Sequence, residues 1–273
     1  TFRGQFSVVN KNFKNTDRDL IASVQALETD RIKDFGYKTN KTGFEFGSSF
    51  EHLEDLYITP MFSTYYESVE TSASASSSLK KQEGSYLDIK GSYKIDIDKR
   101  NQAYKPSDGF RSQFTQVIPL NIDSNQTIVN GYELNSYYEY LPDVVGAISL
   151  YGRAANSFGD DDVRISDRLY LPSKKLRGFE PGKIGPVDNG DFIGGNFNTA
   201  LNISSELPIL ESMETTSFNI FFDAANVWGV DYSSAINDSS AIRSATGIGI
   251  EWYTPVGPLS FTLSQPIAQK STD

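Results

Sequence analysis

From Leu87 to Asp98 the chain alternates. Leu87, Ile89, Gly91, Tyr93, Ile95 and Ile97 interleave with Asp88, Lys90, Ser92, Lys94, Asp96 and Asp98. Successive side chains of a strand point to opposite faces, so one face here is apolar and the other carries five charges. The split recurs. Tyr132, Leu134, Tyr138 and Tyr140 oppose Glu133, Asn135, Tyr137 and Glu139. Leu201 and Ile203 oppose Asn202, Ser204 and Glu206, and Phe218, Ile220 and Phe222 oppose Asn219, Phe221 and Asp223. Ile248, Ile250 and Trp252 oppose Gly247, Gly249 and Glu251, and Leu259, Phe261 and Leu263 oppose Ser260, Thr262 and Ser264. No segment carries the i, i+3, i+4, i+7 stripe of an amphipathic helix over three turns. The period predicts about 12 strands of roughly ten residues, the length that crosses a bilayer when tilted. They begin near Phe2, Leu20, Lys41, Tyr57, Tyr86, Gly109, Thr127, Val144, Asn196, Thr216, Arg243 and Pro258.

Alternation in an antiparallel meander fits a soluble sandwich with its apolar face inward, or a membrane barrel with that face toward lipid. Three features favour the barrel. The polar face is too charged to pack as a dry interior. Aromatic residues cluster near strand ends, as in interfacial girdles. Links alternate between short, as at Pro142–Val144 and Pro255–Gly257, and long, as at Thr71–Gly84, Ser157–Gly195 and Val230–Ile242. The fold class expected is therefore an all-β, antiparallel meander transmembrane barrel. Leu87, Ile89, Tyr93, Ile95, Phe218, Ile220, Phe222, Ile248, Ile250, Leu259, Phe261 and Leu263 are expected to face outward.

Composition removes several chemistries. The 273 residues hold no cysteine and one histidine, His52. Thiolate catalysis, disulfides and multi-histidine zinc centres are excluded. The net charge of −10 argues against a phosphate-neutralising nucleic-acid face. His52 has no nucleophile motif beside it, and Gly247 and Gly249 lie inside a strand, where a dinucleotide fingerprint cannot operate. These glycines instead allow a bulky neighbour to lie against the wall. No catalytic residue, metal or cofactor is expected. The stretch TSASASSS from Thr71 to Ser78 reads as a mobile surface loop.

The link of about 40 residues between the strands at Val144 and Asn196 is different, because loops of that length are usually functional or disordered. It mixes apolar anchors (Leu169, Tyr170, Leu171, Leu176, Phe179, Ile184, Phe192) with turn residues (Gly178, Pro181, Gly182, Gly185, Pro186). That pattern predicts an ordered loop, and its cation Arg177 suits an acidic lumen wall.

At this point the residues resemble a family. Leu176-Arg177-Gly178-Phe179 looks like the [VIL]-R-G-[FY] loop motif of the BamA family of outer-membrane assembly factors, related to organellar sorting and assembly barrels. Asp98-Lys99-Arg100 with Pro106-Ser107-Asp108-Gly109 resembles the family's D-x-R…P-x-x-G turn. Gly194-Gly195-Asn196 resembles its G-G-N strand start. Phe221 to Trp228 resembles its F-x-D-x-G-x-[VL]-W strand, with Ala225-Asn226 in place of the small-Gly pair. Trp252, Pro255, Gly257-Pro258-Leu259 and Gln265-Pro266 resemble its last segment.

The resemblance implies that residues 1–273 form a partial outer-membrane barrel domain, about 12 of sixteen strands. The family's POTRA domains, first strands and last strand are expected to lie outside this chain, leaving the terminal strands open or imperfectly paired. It implies a non-enzymatic insertase in the bacterial outer membrane that folds and inserts β-barrel proteins. Its partners would be unfolded outer-membrane protein substrates, the lipid bilayer, and assembly-complex lipoproteins through the POTRA domains, with no nucleic acid. A two-partner-secretion-type translocator pore or a passive diffusion porin is the alternative. The resemblance also places the loop inside the lumen. There, parity puts Glu206 and Asp223 on the lumen faces of the two strands that follow, so Arg177 is expected to pair with Glu206, Asp223 or both.

Overall fold

A computed structural model describes residues 2–121, 126–159, 162–208, 216–236, 238, 241–254 and 257–270. The strands are β1 (Phe2–Asn10), β2 (Arg18–Arg31), β3 (Tyr37–Leu53), β4 (Leu56–Thr71), β5 (Gly84–Asp98), β6 (Asp108–Pro119), β7 (Thr127–Leu141) and β8 (Val144–Ser157). A two-residue pair follows, β9 (Val187–Asp188) and β10 (Asp191–Phe192), and then β11 (Phe197–Leu207), β12 (Thr216–Trp228), β13 (Arg243–Thr254) and β14 (Gly257–Ala268). Twelve of these form one sheet in the order β1 through β8, then β11 through β14, each antiparallel to its neighbour. The meander read from the alternation is the fold, and each expected start lies in or beside its strand. No β1–β14 pairing occurs among the described residues.

The twelve strands of the large sheet run from 9 to 17 residues, all but β1 longer than the roughly ten expected. The extra turns of the ladder have a physical cause at the long-link end. There Tyr37, Thr39, Glu67 and Val69, all on the lumen side, are buried beneath the packed loops.

The faces separate as the period requires. On β12, Phe222 is 37% exposed, whereas Phe221 is 3% and Asp223 is 0% exposed. Leu87, Ile220, Ile248, Leu259, Phe261 and Leu263 are all exposed on the outer face. Such a continuous exposed apolar surface suits lipid.

Two short links turn the chain tightly at one end, and the first, residues 54–55, joins β3 to β4. Residues 142–143 join β7 to β8, and Asp143 adopts a left-handed conformation (φ 61°) with its N–H donating to Glu139 at 3.0 Å. The tight link expected at Pro255 falls on residues outside the description. At the other end the long links pack together. Phe35, Ala75, Leu79, Ile165, Ile193 and Val230 form a buried cluster, with Tyr86, Tyr170 and Tyr232 against it.

The TSASASSS segment belongs to this cap, which corrects its reading as a mobile loop. Ser76 caps a four-residue helix, α1 (Ser77–Lys80), and accepts a hydrogen bond from the Leu79 N–H at 3.3 Å. The Ser76 hydroxyl also bonds Asp188, and Leu79 is fully buried. The low-complexity stretch is held by one leucine that composition alone undervalues.

Residues 162–196 lie on the polar side of the sheet. They touch β4 and β5 at one end and β11 and β12 at the other. One segment can meet strands that far apart in sheet order only because the sheet curls around it.

Candidate functional site

The site is the middle of this inward loop, held against β7, β8, β11, β12, β13 and β14. A 3-10 turn at Ser173–Lys175 brings the chain to Leu176, which is 2% exposed. Leu176 packs with Leu171 and Ile184 against the wall residues Tyr151, Ala200, Ala225 and Val227, with Phe179 beside them. Burial of the loop's apolar side chains on small wall residues brings its backbone close to the sheet. Gly178 then reverses direction with φ 89°, and a Cβ there would stand 2.8 Å from the Ser264 hydroxyl of β14. Both the left-handed backbone and the proximity require glycine.

Arg177 is fixed by three donors to one carboxylate. Its Nε donates to Asp223 Oδ2 at 2.8 Å, its Nη2 to Oδ1 at 2.7 Å, and its own backbone N–H to Oδ2 at 3.0 Å. This is the two-pronged geometry that guanidinium provides and an ammonium cannot. The guanidinium also lies over Phe221, 3.4 Å from the ring centroid, a cation–π contact. Phe221 lies low because Gly247 on β13 has no side chain. A Cβ there would be 2.7 Å from the Phe221 ring and closer still to the Leu263 carbonyl. Gly247, Phe221, Arg177 and Asp223 therefore form one stacked unit across β12 and β13.

Of the two carboxylates expected for Arg177, Asp223 takes the role and Glu206 does not, which corrects the expectation for Glu206 alone. It lies on the lumen face, but the ladder pairs Asn202, not Glu206, with Asp223, and sets Glu206 opposite Asn219. Four residues along a strand separate the two positions by roughly 13 Å. Glu206 instead faces Lys105 at 3.7 Å.

Asn202 takes the place expected for Glu206, and the polar alternation had already put it on that face. Its amide donates to Asp223 Oδ1 at 2.8 Å and to the Lys175 carbonyl at 2.9 Å. One neutral side chain thus joins wall, carboxylate and loop. Lys175 adds a further tie, donating to Glu133 at 2.7 Å on β7 and to Ser149 at 2.9 Å on β8. His52 is exposed at the end of β3, away from the loop.

The arrangement joins the loop to the wall. It fixes an irregular loop inside a strand-lined lumen through one buried carboxylate, and the loop tip lies against β14.

Comparison with known proteins agrees with this architecture. The Omp85 superfamily domain model matches residues 1–273. The outer membrane protein assembly factor BamA of Neorickettsia risticii is 24% identical over 311 residues, spanning 100% of this chain and 41% of that protein. A sorting and assembly machinery component 50 homolog of Bos taurus is 27% identical over 189 residues, spanning 64% of this chain and 40% of its own length. The chain thus spans less than half the length of these relatives. Among solved structures, BamA from Haemophilus ducreyi lacking POTRA domains 1–3 superposes with a TM-score of 0.86 at 20% identity. That match covers 99% of this chain and 59% of that one. With the meander, the lipid-suited outer face and the matched model in agreement, the chain belongs to the Omp85 superfamily of outer-membrane β-barrel proteins.

Proposed function

We propose that this chain forms part of a non-enzymatic insertase that folds and inserts β-barrel proteins into the bacterial outer membrane. The observation that carries the reading is the loop clamped in the lumen by Arg177 on Asp223, within a sheet that superposes on a BamA barrel. A passive porin needs an open charged lumen, and nothing in its task calls for three donors converging on a buried carboxylate. Relatives named as an outer membrane protein assembly factor and as a sorting and assembly machinery component support the same reading.

The physical means is strand templating. A strand edge presents unpaired N–H and C=O groups that an incoming strand can pair, and a locally thinned bilayer lowers the cost of insertion. Leu176, Arg177, Gly178 and Phe179 hold the loop so that the lumen stays filled and the wall near β14 keeps its shape. The partners of the parent protein would be unfolded barrel clients, assembly-complex lipoproteins bound through POTRA domains, and the bilayer.

The test is reconstitution of the complete parent protein in liposomes. Accelerated folding of unfolded barrel clients, reduced by Arg177→Ala, is the expected result. Solute leakage without folding catalysis would overturn the insertase and favour the pore.

A further inference from the structure

The loop has a second attachment, at β4 and β5, that no motif marks. Arg164 is 1% exposed, and its Nη2 meets Asp88 at 2.7 Å, Asp167 at 3.3 Å and Glu67 at 3.4 Å. Lys90 closes the group, 3.2 Å from Asp88 and 3.3 Å from Asp167. Two cations and three carboxylates are thus gathered where the loop crosses the first half of the sheet. The Arg164 guanidinium covers the Tyr86 ring at 4.4 Å. The backbone is pinned as well. The Val163 N–H donates to Asp231 at 2.7 Å, the Ile165 N–H to Gln82 at 2.7 Å, and the Ser166 hydroxyl to Glu67 at 2.9 Å. Leu169 exchanges two backbone bonds with Gly195. Burial works against the Asp167 charge, yet Lys90 and Arg164 hold its carboxyl below the usual carboxylate range.

The two attachments differ in kind. Arg177 has one carboxylate, and its side chain keeps 25% exposure. Arg164 has three, at 2% side-chain exposure, inside the cap. We propose that Arg164 is the permanent anchor of the inward loop and Arg177 its releasable end, so that residues 174–186 swing from a fixed root at 163–169. Arg164 is then a positioning residue: it sets where the Arg177 motif can reach without touching Asp223 itself. The inference goes beyond the insertase reading and stands on the geometry of the loop, whichever cargo the barrel handles.

The geometry also separates the two arginines by what can replace them. One nitrogen of Arg164 serves all three carboxylates, a task an ammonium can share. Arg177 uses a two-pronged fork on Asp223, which an ammonium cannot reproduce.

The experiment is amide hydrogen exchange on the complete parent protein in lipid nanodiscs, read at 163–169 and at 174–186. Arg177→Gln should speed exchange at 174–186 by on the order of a hundredfold and leave 163–169 unchanged. Arg164→Gln should speed both segments. Arg164→Lys should restore most of the protection, and Arg177→Lys should not. Should Arg164→Gln fail to assemble, Asp167→Asn keeps the arginine and should still speed 163–169 by about tenfold. Equal loosening of both segments by Arg177→Gln overturns the proposal. So does unchanged protection at 163–169 in Arg164→Gln or Asp167→Asn. Because exchange reports docking and client folding reports activity, failure of the anchor and failure of the insertase reading give different results.

Discussion

The two ends of the inward loop solve the same problem with different chemistry. At β4 and β5 a buried arginine is surrounded by Glu67, Asp88 and Asp167, and the backbone on either side is bonded to Gln82 and Asp231. At β12 a partly exposed arginine meets one carboxylate in a fork and stacks on one ring. The first arrangement tolerates few changes, because removing any member strands a charge in a site without water access. The second is compact and can detach as a unit, because solvent already reaches the arginine. A loop that must both stay in the lumen and move there needs one attachment of each kind.

The largest effect should come from breaking the deeper end. Arg164→Ala leaves three carboxylates around a single lysine, and stranding buried charge costs about 3–5 kcal/mol. The complete protein should lose its native proteolytic resistance first at residues 158–170, measured by timed digestion in lipid. Resistance equal to the unaltered protein would mean that the cluster contributes little. Asp223→Asn should cost less, about 1.5–3 kcal/mol, because it leaves Arg177 with solvent and Phe221 still available. Its cleavage should appear at 174–186. At residues 174–186 the double variant Arg164→Ala with Asp223→Asn should cost less than the sum of the two single changes, because loss of the root already loosens the tip; strict additivity there would show that the two ends act independently.

Next in size is the support beneath Arg177. Gly247→Ala puts a methyl group into the Phe221 ring and the Leu263 carbonyl. Overpacking of this kind costs about 1–3 kcal/mol. The ring must lift, and Arg177 loses its stack while keeping Asp223 intact. The check is tyrosine-independent: a spin label at Lys174 should become more mobile in Gly247→Ala, and unchanged mobility would place the stack outside the clamp. Asn202→Ala should follow at about 0.5–1.5 kcal/mol, the value of its lost hydrogen bonds. The same label should report a smaller gain in mobility.

The contrast between the ends also explains what the sequence reveals. Strands β5, β7, β11 and β12 keep strict alternation because one face meets lipid and the other meets charge, so their starts and faces can be read directly. Arg177 was legible because it lies in a motif that resembles the family's and because parity put Asp223, 46 residues further on, on the lumen side. The deeper end was not. On β4 the lumen face carries Met61, Tyr65 and Val69 beside Glu67, while the lipid face includes Thr64, so the period is blurred. Arg164 follows the aspartates at 160–162 in sequence, and no motif marks it. Its partner Asp88 is 76 residues away, and the Ser166–Glu67 bond spans 99 residues. Contacts that distant leave no periodic trace. The cap was missed for a related reason, since Leu79 gains its value only when four separate links meet over it.

The smallest expected effect is the sharpest test of the register that separates Glu206 from Asp223. Both carboxylates face the lumen, and composition treats them alike. The ladder does not. Asp223 is opposite Asn202 and fully buried, whereas Glu206 is opposite Asn219, with 40% of its side chain exposed and Lys105 at 3.7 Å. An ion pair that exposed and that long is screened, and contributes about 0–1 kcal/mol at most. Glu206→Gln should therefore change thermal stability and client folding by less than the scatter between preparations, as should Lys174→Ala at an exposed loop position. Asp223→Asn in the same assay should not be silent. If Glu206→Gln loosened residues 174–186 as much as Asp223→Asn, the loop would have to reach some two pleats further along β11 than the Asn202–Asp223 pair allows. The clamp would then involve a different docked position of the whole segment.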